Sequence, residues 1–101
     1  MAEQRRLSSF QEETEAGLVS ALAAVGLGLI ARRLEGSKEA FIRANVRGTD
    51  AEVFIYEDEA GLLGSNVDKR FEVSDYRDGG ALASDFIQQT VDYAKRYARH
   101  S

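Results

Sequence analysis

The sequence predicts a two-layer α+β domain of helix, four-stranded antiparallel sheet and helix, with both helices on one face of the sheet. Three observations carry this. From Ala81 to Arg99 the apolar residues recur at helical spacing and fill one half of the wheel. Glu39 to Arg47 and Ala51 to Asp58 alternate apolar and polar residues on either side of Gly48-Thr49-Asp50, the pattern of an antiparallel hairpin. An uncharged run, Gly17 to Ala31, follows an acidic helix start. Residues 1–101 are expected to form a single domain, since a chain of 101 residues is near the usual size of one.

The first helix is expected to begin at Ser9, whose spacing to Glu12 is that of a capping box. Glu12, Glu13 and Glu15 lie where the helix dipole favours negative charge. Leu18, Leu22, Val25 and Leu29 recur at helical spacing, opposite a small-residue face of Gly17, Ser20, Ala21 and Ala24. Continued to Leu34, this helix would be roughly 39 Å long, more than such a domain easily covers. Gly26 offers an earlier stop in the left-handed conformation, with Leu27 placed against Leu22 as in a Schellman motif. Leu27 to Glu35 then becomes the first strand.

Glu35-Gly36-Ser37-Lys38 reads as the next turn, and Glu39 to Arg47 and Ala51 to Asp58 as the second and third strands. Ala60 to Asp68 reads as a looser connection to a fourth strand around Arg70 to Asp75. Asp78 is the expected N-cap of the last helix, and Arg96 and Arg99 complement its dipole at the far end.

Composition narrows the function classes. With 44% apolar and 30% charged residues the chain can bury a core, so disorder is a poor reading. Cysteine is absent, which removes disulfides, thiol nucleophiles and cysteine zinc sites. The net charge is −4, and residues 50–85 hold ten acids against Lys69, Arg70 and Arg77. Such an acidic belt repels phosphates and anionic lipid unless a separate basic face outweighs it. As a helix, Gly17 to Ala31 would be roughly 22 Å long, short of the roughly 30 Å hydrocarbon core. Its acidic approach also fails as a signal peptide. A soluble, cytoplasmic protein with no membrane partner is expected.

No catalytic, metal or cofactor site stands out, and none is expected. Gly26-Leu27-Gly28-Leu29-Ile30-Ala31 matches the dinucleotide-binding pattern, but a helix precedes it where a strand is needed. Gly61 to Ser65 lacks the lysine of a phosphate loop. The single histidine, His100, would have to carry any metal site or triad alone. Glu57-Asp58-Glu59 lacks the pattern of a calcium loop. Glu57, Asp58, Asp75 and Asp78 are candidate acids and bases with nothing to select two of them.

The informative feature is the second sheet face. If Ile42, Ala44, Val46, Val53 and Ile55 face the helices, then Phe41, Arg43, Asn45, Arg47, Phe54 and Tyr56 face away. Aromatic residues and arginine are enriched at protein interfaces, so Phe41, Arg43, Arg47, Phe54 and Tyr56 are the candidate partner-binding residues. The expected function is a non-catalytic protein-binding module, such as an inhibitor, immunity or chaperone-like factor. A structural homodimer through the same face is the alternative. The same side chains could stack on single-stranded nucleic acid, though Glu52 and Asp58 on that face argue against it. A plainer reading keeps the aromatics as cross-strand pairs, or covers them with residues 60–68.

Overall fold

The structure is a computed structural model that describes residues 7–99. Its elements in order are α1 (Ser9–Ala23), β1 (Leu29–Glu35), β2 (Phe41–Val46), β3 (Glu52–Ile55), β4 (Glu59–Gly64), β5 (Val67–Glu72), one 3-10 turn (Val73–Asp75) and α2 (Gly79–Tyr97). The five strands form an antiparallel meander in the order β1-β2-β3-β4-β5. This α+β architecture corrects the expectation of four strands. The stretch Ala60 to Asp68, expected as a connection, is β4 and the start of β5. Its alternation is hidden because Gly61 and exposed Leu63 stand at outward positions where polar side chains would mark the pattern. The strand expected over Arg70 to Asp75 begins and ends earlier, since Val73–Asp75 coils into the 3-10 turn.

One core joins the layers. Leu18 and Leu22 of α1 and Leu82, Phe86 and Ala94 of α2 are buried in one cluster with Ile42, Ala44, Val46, Val53, Ile55 and Leu62 of the sheet. The alternation read in β2 and β3 therefore has the expected inward set. The ring of Phe71 on β5 meets that of Phe86 edge-on, with centroids 5.5 Å apart.

Helix α1 starts one residue earlier than its acidic residues suggest. Ser8 is the N-cap, and Gln11 rather than Glu12 completes the capping box. Gln11 N–H donates to Ser8 Oγ (3.2 Å) and Ser8 N–H to Gln11 Oε1 (2.8 Å). The Gln11 amide then donates to the carbonyls of Ala40 (2.8 Å) and Ile55 (3.1 Å). A glutamate could accept from Ser8 but could not donate to those carbonyls, which is why the buried position is an amide. The helix stops where expected: Gly26 has φ 76°, Gly26 N–H bonds Ala23 O (3.0 Å) and Leu27 N–H bonds Leu22 O (2.8 Å). These are the two hydrogen bonds of a Schellman motif. Of the small-residue face, Gly17 receives Ile87 of α2 closely and Ala21 is half-buried, while Ser20 and Ala24 are exposed.

Strand β1 carries a bulge that decides what faces outward. Ile30 pairs with Asn45 and Arg33 with Arg43, so β1 has one residue more than β2 in this interval. Ala31 takes up the extra residue at φ 56°. Leu29 and Leu34 are an odd number of residues apart and would otherwise lie on opposite faces. With the bulge both pack against the core, and Arg33 and Glu35 turn to the opposite side.

Candidate functional site: the outer sheet face

On the side away from the helices the register sets Arg33, Arg43, Phe54, Gly61 and Arg70 in one row across all five strands. Asn45, Glu52, Leu63 and Asp68 form the next row toward the β2–β3 turn. Phe41, Arg43, Phe54 and Tyr56 are half-buried, in part by the contacts of Phe41 with Tyr56 and of Arg43 with Phe54. Residues 60–68 extend the sheet beside β3 and do not fold across this face.

Four of the candidate side chains are held. The Phe41 and Tyr56 rings stack at 4.4 Å between centroids, inclined by 23°. The Arg43 guanidinium lies 5.3 Å from the centre of the Phe54 ring, within cation–π range. Its Nε and Nη2 donate to the two carboxylate oxygens of Glu52 at 2.8 and 3.0 Å, and its Nη1 to Glu35 at 3.2 Å. Arg33, brought opposite Arg43 by the bulge, donates to the same Glu52 through Nη2 (2.9 Å). Two carboxylates thus separate two arginines that would otherwise repel across the β1–β2 pair. The Glu52 carboxyl is held below the usual carboxylate range, first by its hydrogen bond from Arg43, against some desolvation, and then by that from Arg33. The Arg43 guanidinium is held more firmly protonated by the same two carboxylates.

Beside this network lies a hollow of about 360 Å³ lined by Phe54, Tyr56, Glu59, Gly61, Leu63 and Arg70. It exists because Gly61 contributes no side chain to its row. A Cβ there would meet only Lys69 O at 3.5 Å and Phe54 at 3.9 Å, which is ordinary contact. Leu63 on its rim is 47% exposed.

Of the five partner-binding candidates the structure brings four together. Arg47 lies beyond the end of β2, exposed in the turn, with its backbone N–H bonded to Gly28 O (2.9 Å). Arg33, Glu35, Gly61 and Leu63 belong to the face but were not among the candidates. The bulge that turns Arg33 outward leaves no mark in the alternation of β1. The other sequence candidates are dispersed. Glu57 and Asp58 are exposed in the β3–β4 turn, Asp75 is exposed in the 3-10 turn, and Asp78 caps α2 through Ala81 N–H (2.8 Å). Gly26 and Gly28 end α1 and lead into β1, so the dinucleotide-like motif has no helix after it. His100 lies outside the described residues. Among the described residues no cluster of histidine, aspartate and glutamate could hold a metal, and no helix is long and apolar enough to cross a membrane.

No protein-family model matches the chain, and no curated protein or solved structure does either.

Proposed function

We propose that the protein is a non-catalytic binding module, an inhibitor, immunity or chaperone-like factor of the cytoplasm, whose outer sheet face docks a protein partner. The observation that carries this reading is the hollow over Gly61, an unfilled place in a row of otherwise interlocked side chains. The partner of this reading inserts an apolar side chain there, against Phe54, Tyr56 and Leu63. Tyrosine, phenylalanine and arginine around a pocket are the residue types that dominate interface energetics. Their mutual fixation also supports the reading, because side chains already ordered lose less entropy on binding. The exposed, scattered positions of Glu57, Asp58 and Asp75 offer no paired acid and base, which favours binding over catalysis.

The test fills the hollow. Gly61→Val should leave the melting temperature within a few degrees, since the strand backbone accepts a side chain there. It should weaken a complex rebuilt from the purified domain and its captured partner by about tenfold or more. Phe41→Thr with Tyr56→Ser should do the same. A complex indifferent to both changes rejects the reading. A wild-type dimer in analytical ultracentrifugation that Gly61→Val dissociates assigns the face to self-association instead.

A further inference from the structure

A second cluster of cations, none of them in an ion pair among the described residues, lies elsewhere. The antiparallel meander sends the β2–β3 and β4–β5 turns to one end of the sheet, and the C-terminal end of α2 meets them there. Arg99 N–H bonds Gly48 O at 3.0 Å. A groove of about 660 Å³ runs between α2 and the β4–β5 turn, lined by Lys69, Gln89, Tyr93, Lys95, Arg96 and Tyr97 among others. A second hollow of about 580 Å³ shares Asn66, Tyr93, Arg96 and Tyr97 with it and reaches Arg99.

The charges in this groove are unbalanced. Among the described residues Lys69, Lys95, Arg96 and Arg99 enter no ion pair, like Lys38 and Arg47 at other places on the surface, whereas Arg32, Arg33, Arg43, Arg70 and Arg77 all do. Three carboxylates bear on these cations: Asp92 lines the groove, Asp50 lines the second hollow, and Asp85 lies within reach of the charge of Lys69. Asp92 accepts from Gln88 Nε2 (3.0 Å), and Asp50 accepts from Ser65 N–H (3.0 Å) and Tyr93 Oη (3.4 Å). The dipole of α2 favours Lys95 and Arg96 in its last turn. It does not account for Lys69, which arrives from β5 and donates to Gln89 across the groove. Tyr97 adds an aromatic face that is 40% exposed and backed by Tyr93, with ring centroids 4.6 Å apart.

We infer that this groove binds a nucleotide, its base stacked on Tyr97 and its phosphates held by Lys69, Lys95 and Arg96. The volume lies within the range of small-ligand sites, roughly 300–1,000 Å³. The recognition is that of single-strand and nucleotide sites in general, an aromatic platform beside cations. It is a basic surface in a chain of net charge −4, and it lies apart from the ion-pair network of the outer sheet face, though Lys69 borders the hollows of both.

The experiment titrates the labelled wild-type chain with ATP, a short oligothymidylate and inorganic pyrophosphate, following amide chemical shifts. Shifts gathered at Lys69, Lys95, Arg96 and Tyr97 are the expected result. Lys95→Gln with Arg96→Gln, both at exposed positions, should weaken ATP by at least about tenfold while lowering the melting temperature by no more than a few degrees, the part their charges play at the end of α2. Tyr97→Ala should weaken ATP and spare pyrophosphate. An oligonucleotide that binds at least about tenfold more tightly than ATP, with affinity falling steeply in salt, identifies a strand as the source of the nucleotide, and equal affinities identify free nucleotide. Absence of wild-type shifts with all three probes overturns the inference. So does a polyglutamate peptide that binds as tightly as ATP.

Discussion

Arg43 grips Glu52 across the β2–β3 pair through two parallel hydrogen bonds of 2.8 and 3.0 Å. The two residues are not directly opposite, since Arg43 pairs in register with Phe54 and Glu52 with Asn45. The guanidinium therefore lies along the sheet, over the Phe54 ring, and leaves an edge for Glu35. One carboxylate thus sets the position of an arginine, which in turn covers an aromatic ring.

This gives the acid limb of the stability curve a named contributor. The folded-state pKa of Glu52 lies below its unfolded value, so its stabilisation is present above about pH 4 and lost as pH falls through the folded value. Glu52→Gln should lower stability at pH 7 by about 1 kcal/mol, because the carboxylate is only partly shielded from water. It should also make the decline below pH 5 shallower. Urea unfolding of both proteins at pH 7, 5 and 3 measures this, and parallel curves would show that Glu52 contributes nothing.

Gln11 is the second sensitive point. It is 2% exposed, and its one amide closes the α1 cap and ties that cap to the carbonyls of Ala40 and Ile55. Ser8→Ala should cost about 1 kcal/mol, the usual value of an N-cap. Gln11→Glu should cost more, about 3 kcal/mol at pH 7, because a buried carboxylate would face two carbonyls it cannot donate to. Part of that loss should return at pH 4, where the new carboxyl takes a proton. Chemical denaturation at both pH values separates the two variants.

What was legible in the sequence follows from where physical chemistry is local. The alternation of Ile42, Ala44 and Val46 against Phe41, Arg43 and Asn45 needs only the strand period, and it identifies the covered and open faces without any long-range information. The stop at Gly26 was also legible, because a Schellman motif involves only neighbours in the chain. Strands β4 and β5 were not. Gly61 and Leu63 replace the polar half of one alternation, and β5 is an edge strand whose Asp68, Lys69 and Arg70 are all exposed. Such charges keep an edge from pairing with other chains, and they also hide its strand character. The bulge at Ala31 was equally silent, because it is settled by the need of Leu29 and Leu34 to reach the same core. With it went Arg33 and Glu35, half of the ion-pair network on the candidate face.

Two glycines with positive φ should respond differently to the same change. Gly26 has φ 76°, and a Cβ added there would meet nothing within 4 Å. Gly26→Ala should cost only the left-handed backbone penalty, about 1 kcal/mol. Gly36 has φ 96°, and its Cβ would come within 2.3 Å of the Glu39 carbonyl oxygen. That atom is backbone in the β1–β2 turn and cannot move aside alone. Gly36→Ala should cost at least about 2 kcal/mol, and equal melting temperatures for the two variants would contradict the turn geometry.

The alkaline limb belongs to the contact between the 3-10 turn and α2. Tyr76 Oη donates to Asp85 Oδ2 at 2.5 Å, while Gln89 Nε2 holds Asp85 Oδ1 at 2.8 Å. Asp85 is kept below the usual carboxylate range by Gln89 first and Tyr76 second. The Tyr76 phenol is pushed up to about 12, chiefly by its hydrogen bond to Asp85, then by burial and by the charges of Asp85 and Asp75. The unfolded chain releases this proton near pH 10, so the stabilisation is complete below that and disappears as pH rises toward 12. Tyr93, raised mainly by burial and next by the charge of Asp50, shifts in the same direction and adds to the decline. Tyr76→Phe should therefore lower stability by about 1 kcal/mol at pH 8 and retain a weaker alkaline decline from Tyr93. Denaturation midpoints at pH 8, 10 and 11.5 test this. If the wild-type and Tyr76→Phe midpoints fall in parallel above pH 10, the Tyr76–Asp85 hydrogen bond does not stabilise the docking of the turn on α2.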